Sequence, residues 1–225
     1  MNRTLVYYTK FLILTYVLCS FTEWFLHSQI MHGDEDKLAN IPFIGKALAK
    51  TAQKHIEHHK EVNMNMRLTH EQLHNKLFFS WETLIQTSIV LSIFGLFVKY
   101  NIKMDNTKYI IYIAYLSLLY TILWNNIHVD MHGVKGTIRI NDGVPNKNGL
   151  LSRGPLYRFL WKYHAVHHLQ KGDEKGNYNI VLPGMDYIFG TYNGFCYDNT
   201  EYCRKNYDSR CHDKIKACVT DNDVI

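Results

Sequence analysis

Ten histidines of this chain stand in four compact groups, and imidazole at that density is the raw material of a metal site. They are His27 and His32, five residues apart; His55, His58 and His59, spaced HxxHH; His128 and His132, four apart; and His164, His167 and His168, again HxxHH. On a helix, positions 0, +3 and +4 share one face, so the HxxHH units and the HxxxH pair each project their rings to one side. The step from His27 to His32 behaves differently. At the α-helical pitch these two diverge by about 140°, so the pair is expected to straddle a helix end or a bulge. Ten imidazoles exceed what one tetrahedral or octahedral ion accepts, and two ions with about five ligands each is the economical arrangement. Two neighbouring ions can hold and activate a small molecule between them.

Bound imidazoles usually pass their second N–H to a carboxylate or carbonyl. Three carboxylates are placed for this: Glu23 one turn before His27, Glu57 inside the first HxxHH unit, and Asp130 between His128 and His132. A single histidine at the end of an apolar run would read as a core or interfacial residue, and four clusters do not. His70 and His74 sit in an ordinary amphipathic approach to an apolar run and read as surface residues; His212 has no partner pattern.

Something must bring these groups together, and three apolar runs supply the means. Residues 11–22 carry no charge; alone they are too short to span a bilayer, and a short basic start before such a run also resembles a signal peptide. With Lys10 snorkelling, the helix extends over about residues 4–26, roughly 35 Å at the α-helical rise. The second and third runs predict helices at about 83–99 and 108–127, joined by a link with Asn101, Asp105 and Asn106 as turn formers. If each run crosses once, parity places all ten histidines on one face of the membrane. Lys46 to Lys60 predicts a helix carrying the first HxxHH unit, after a turn at Ile41-Pro42. Residues 133–154 read as a glycine-rich loop, followed by the helix of the second HxxHH unit. The expected architecture is therefore all-α and integral to the membrane: about three transmembrane helices and a helical cap, with a domain over 1–192 and a polar tail over 193–225.

Most of the lysines and arginines lie in the two histidine-bearing regions, as the positive-inside rule expects of cytosolic segments. The net charge of +5 is scattered, with no basic helix and no nucleic-acid motif, so a membrane surface and not nucleic acid is the expected partner. Of five cysteines, Cys19 lies in an apolar run and Cys196, Cys203, Cys211 and Cys218 lie in the tail. No CxxC occurs among them, which reads as free thiols in a reducing compartment, with a zinc or disulfide clasp as the alternative.

The order HxxxxH, HxxHH, HxxxH, HxxHH, followed by Asp186-Tyr-Ile-Phe-Gly-Thr191, resembles the fatty acid hydroxylase superfamily of membrane enzymes, over about residues 20–192. Glu23-Trp-Phe-Leu-His27 with His32 resembles the opening motif of the fatty acid 2-hydroxylases. The resemblance implies two iron ions that use O₂ and two electrons to hydroxylate, or in some members desaturate, a C–H bond of a lipid. Imidazole suits zinc as well as iron, so the choice of iron rests on the family. No His-Pro-Gly-Gly haem motif is present, which implies a separate electron donor such as cytochrome b5 or ferredoxin. An acyl-lipid substrate ranks ahead of a sterol or carotenoid. The reading from another class is a non-catalytic membrane metal buffer or transporter; a transporter needs polar residues at mid-membrane depth, where the second and third runs offer only Gln86 and a few hydroxyls.

Overall fold

The structure is a computed structural model and describes residues 2–62, 66, 68, 80–132, 155–169 and 176–193. The loop 133–154, His70, His74, His212 and the four tail cysteines lie outside the described residues. Among those described there is no strand, only an isolated bridge between Val62 and Leu68.

Three helices are long and apolar enough to cross a membrane. Helix α1 (Arg3–Phe25) starts where the Asn2 side chain caps the Thr4 N–H and runs directly into a π-helical segment, Leu26–Met31. Helix α4 (Trp81–Ile102) is capped by Ser80, and α5 (Asn106–Met131) by Asp105. Both start two residues before the expected positions, because these caps satisfy the first-turn N–H groups outside the apolar stretch, and both also run on past their uncharged runs. The link between them shrinks to Lys103, Met104 and Asp105, with Lys103 left-handed (φ 58°) as the residue that ends α4.

Each long helix turns an apolar stripe outward: Leu12, Ile13 and Tyr16 on α1, Ile85, Ile89, Ile93 and Phe97 on α4, and Ile111, Tyr115, Leu118 and Ile122 on α5. Contiguous exposed apolar surface on this scale belongs against lipid. Their inner faces pack through Leu18, Leu91, Val98, Ile113 and Leu116. Gly95 lets α4 and α5 approach closely, since a Cβ there would stand 2.9 Å from Ile113 and 3.1 Å from the Tyr109 hydroxyl. Ser88, Ser92, Ser117 and Thr121 each bond the carbonyl four residues back, so these four hydroxyls leave no open donor in an apolar medium. Gln86 is engaged too: its amide donates to Thr51 at 3.0 Å and ties α4 to the cap.

The cap is built from α2 (Glu35–Ala39), α3 (Gly45–Glu61), α6 (Pro155–Leu169) and the four-residue α7 (Met185–Ile188). Helix α2 has no counterpart in the apolar pattern; Asp34 starts it by accepting the Lys37 N–H, and it packs on α3 through Leu38 and Leu48. Proline as the first residue of α6 sits where no N–H is needed. A second core, of Met66, Tyr120, Trp124, Met131, Leu160, Trp161 and Ile180, joins α5 to α6 and to the segment before α7. All four histidine clusters meet above it.

Candidate metal centre

The HxxHH units do not act as blocks. His27, His32, His55, His59 and His167 form one group, and His58, His128, His132, His164 and His168 form another, with the candidate ligand atoms of each group within 4.8 Å of one another. Helix α3 thus sends His55 and His59 to the first and His58 to the second, while α6 sends His164 and His168 to the second and His167 to the first. Helical geometry accounts for the division: at about 100° per residue, i and i+4 lie about 40° apart and i+3 turns about 60° the other way. The His27 to His32 step is resolved by the π-helical segment. Its i→i+5 bond, His32 N–H to the His27 carbonyl at 3.0 Å, brings the two rings onto one side with centroids 5.2 Å apart and planes tilted by 33°.

In the first group five Nε2 atoms converge, with contacts of 3.0 to 3.2 Å along His27–His55, His55–His32, His55–His59, His32–His167 and His59–His167. His27 donates its Nδ1–H to the Tyr178 carbonyl at 2.7 Å and His167 donates to the Gly176 carbonyl at 2.6 Å, so both present bare lone pairs at Nε2. Only His32, His55 and His59 have a proton to offer there, and each proton bridges one contact, so at least two of the five contacts have no hydrogen bond across them and are repulsive. A central cation relieves that repulsion. With metal–nitrogen bonds of about 2.1 Å, ligands of one ion stand ~3.0–3.4 Å apart, so the spacing fits imidazoles gathered around a single cation.

The second group carries a matching signature. His132 donates Nδ1–H to the Met66 carbonyl at 2.8 Å, and its Nε2 lies 2.8 Å from that of His164, which lies 3.1 Å from that of His168. His128 is buried with neither ring nitrogen hydrogen-bonded, a desolvation cost that a bound ion offsets. The groups adjoin: His59 and His168 stack at 4.2 Å across the boundary. Burial, then the neighbouring imidazoles, holds His55, His164 and His168 well below the ordinary histidine range, and burial lowers His132 to about 4. The rings are therefore neutral near pH 7, the form in which imidazole binds a metal.

Around the rings lies a scaffold that the sequence disclosed only in part. Glu23, expected to take an imidazole N–H, instead accepts the backbone N–H groups of Val181 (2.7 Å) and Leu182 (2.8 Å), because His27 finds the nearer Tyr178 carbonyl. It acts at one remove, by holding the segment that carries that carbonyl. Asp130 accepts the Tyr157 hydroxyl, joining α5 to α6. Glu57 is half-buried on α3. Asp186, fully buried, receives the Tyr178 N–H (3.0 Å) and the Thr191 hydroxyl (2.6 Å) on one oxygen, and the Asn179 N–H (2.8 Å) and the Tyr163 hydroxyl (2.7 Å) on the other. Trp124 stacks on His128 at 4.3 Å and stands 6.2 Å from His27, touching both groups. An aromatic residue one turn before a ligand-bearing position was the available signal for it.

These features, three helices long and apolar enough to cross a membrane and two adjoining five-histidine groups that could each hold a metal ion, are those of a membrane metal-site scaffold. The chain matches the family model described as Fatty acid hydroxylase over residues 12–191, and it belongs to that family. Membership supports a function of the lipid hydroxylase or desaturase type, and hence an oxidoreductase. No curated protein and no solved structure matches the chain.

Proposed function

We propose that this protein is a multi-pass membrane oxygenase that hydroxylates a lipid, with a fatty acyl chain as substrate, at two iron ions bound one to each histidine group. The reading is carried by one observation: five converging Nε2 atoms whose contacts exceed the protons available to bridge them, set beside a second such group. The catalytic unit is residues 1–192, with 193–225 as an appended tail; the histidine face looks into the cytosol, where a separate donor such as cytochrome b5 or ferredoxin delivers electrons. Paired irons supply the redox chemistry for inserting one atom of O₂ into a C–H bond. Overall, one C–H bond becomes C–OH, two electrons and two protons are consumed, and the second oxygen atom leaves as water.

The chain's own residues make that chemistry selective. Tyr178, Gly176 and Met66 fix three rings through Nδ1, so that each Nε2 stays aimed inward and keeps its lone pair. Trp124, Met131 and Ile180 close the membrane side of the site against water. Half-buried His32, His59 and His168 mark its more open side. Acyl chemistry is favoured by the apolar, outward-facing surfaces of the three long helices beneath the site. Zinc occupancy as purified would give a folded but inactive protein.

The test is to purify the protein in detergent with iron retained, reduce it, supply ¹⁸O₂ and an electron donor, and examine a mixed lipid panel by mass spectrometry. The expected result is one ¹⁸O on an acyl chain, lost in His167→Ala with membrane insertion intact. Oxygen gained by no lipid, or product formation surviving in His167→Ala, overturns the reading.

A further inference from the structure

Lys10 and Asn101 mark one level on two helices, since the Lys10 ammonium donates to the Asn101 carbonyl at 3.1 Å on the side remote from the histidines. On α4, nineteen residues separate Asn101 from Glu82, whose exposed ion pair with Lys50 stands on the histidine side. At the helical rise that is about 28 Å, close to the thickness of a hydrocarbon layer. Heights in the layer can be counted from Lys10 along α1: about 9 Å for Tyr16, about 15 Å for Ser20 and about 21 Å for Trp24.

The segment that leads into α7 descends into this layer. The Leu182 carbonyl accepts the Ser20 hydroxyl at 2.8 Å, and the Pro183 carbonyl accepts the Tyr16 hydroxyl at 2.5 Å. The turn at Pro183 and Gly184, where Gly184 takes φ 145°, therefore lies near the middle of the layer. Helix α7 then climbs back toward the histidine side, and Phe189 stacks on Trp24 at 4.0 Å.

The exposed surfaces agree with this placement. Large exposed apolar side chains on α1 end at Val17, whereas those of α4 and α5 continue to Ile85 and Ile122, about 24 Å above the same floor. The descending segment covers the upper part of α1 in place of lipid. Its own outer face carries Tyr187, Ile188 and Phe189, which are 54%, 69% and 45% exposed, at the height of the outward-facing Ile85 and Ile89.

Non-helical backbone survives at such depth only where the protein itself satisfies its polar groups. Glu23 accepts the N–H groups of Val181 and Leu182, and Asp186 accepts those of Tyr178 and Asn179. The Asn179 side chain accepts the Asp186 N–H at 3.1 Å and donates to the Ser20 carbonyl at 2.8 Å. Proline at the foot of the turn has no N–H to satisfy. Two buried carboxylates thus do for this segment what water does for a loop outside the membrane.

We propose that residues 180–189 form a re-entrant hairpin that enters the bilayer from the histidine side and turns back near its middle, with Tyr187, Ile188 and Phe189 against the acyl chains of that leaflet. It rests on the reading that the three long helices span the membrane, and it adds a fourth, half-crossing element to them. No step of the oxygenase chemistry enters it.

The experiment places the full-length protein in lipid nanodiscs that contain a phospholipid with a photoreactive diazirine midway along one acyl chain, and maps the labelled residues by mass spectrometry. The expected result is label on Tyr187, Ile188 and Phe189 at a yield comparable with Ile85 and Ile89, proportional to the fraction of probe lipid and unaffected by excess free fatty acid. Label on Ile85, Ile89 and Ile111 but not on residues 187–189 overturns the hairpin and leaves the spanning reading intact. Label on none of these positions overturns both. Label on residues 187–189 that free fatty acid displaces also overturns the proposal, since it marks a ligand site and not a bilayer face. As a second readout, Ile188→Asp should lower the melting temperature in nanodiscs by roughly 5–10 °C, because a carboxylate there faces hydrocarbon; at a water-facing position this exposed it would be nearly neutral. An unchanged melting temperature overturns the hairpin. If Ile188→Asp does not assemble into nanodiscs, the wild-type map alone decides.

Discussion

Replacing Asp186 by asparagine tests whether the histidines are held from below by a single carboxylate. Its two oxygens accept four hydrogen bonds, two from backbone N–H groups and two from hydroxyls, in a fully buried setting. Asparagine must place an NH₂ where one oxygen was. Facing the Tyr178 N–H and Thr191, the hydroxyl can rotate to accept but the Tyr178 N–H is orphaned; facing Asn179 and Tyr163, the Asn179 N–H is orphaned. One buried unsatisfied donor costs about 1–3 kcal/mol, and the surviving bonds lose their charge assistance, so the total is on the order of 3–5 kcal/mol. For a chain of this size that is a fall in melting temperature of roughly 6–20 °C. Because the Tyr178 carbonyl orients His27, metal affinity should fall as well, by about 10–100-fold. Thermal melts in detergent with and without added iron, and metal titration against a competing chelator, measure both. An Asp186→Asn protein melting within about a degree of the wild type and holding metal equally well would refute the reasoning.

Gly176→Ala should act first on His167: its Cβ would lie 2.2 Å from the Thr191 carbonyl, so the backbone must move and take the Gly176 carbonyl away from His167 Nδ1. A loss of about 10–100-fold in metal affinity with the membrane helices intact is expected, read by chelator competition and circular dichroism. His58→Ala and His59→Ala, adjacent in sequence, should impair different groups, and Mössbauer spectra of ⁵⁷Fe-loaded variants should lose different components; identical spectra would contradict the division. The metal-free protein should lose stability as pH falls from about 6.5 to about 4. Folded His132 stays neutral down to about 4 while the unfolded chain takes up its proton near 6.5, which is worth about 3 kcal/mol for that residue once pH is below both values. Denaturant melts across that range check the slope, and a flat or inverted profile would count against neutral burial.

Much of this was legible in the residues. Charge-free runs and cluster spacing are local properties, so three helices long and apolar enough to cross a membrane, and the ten histidines that gather in two groups, could be read directly. The awkward five-residue step demanded an irregular helix and received a π-helical one. The division of each HxxHH unit was not legible, because whether a 60° offset matters depends on where the facing helix stands. Nor were the acceptors of the Nδ1 protons, which are backbone carbonyls of Tyr178, Gly176 and Met66 and leave no mark in residue type. Glu23 had the burial expected of a residue serving the site and a different partner, since a carboxylate one turn from His27 reaches the neighbouring backbone first.

The most direct measurement is metal content per chain in protein purified from iron-supplemented cells, by inductively coupled plasma mass spectrometry against quantitative amino-acid analysis. Two five-histidine groups predict two metal atoms per chain, falling toward one in both His58→Ala and His59→Ala. One atom or none in the folded wild-type protein would contradict the account.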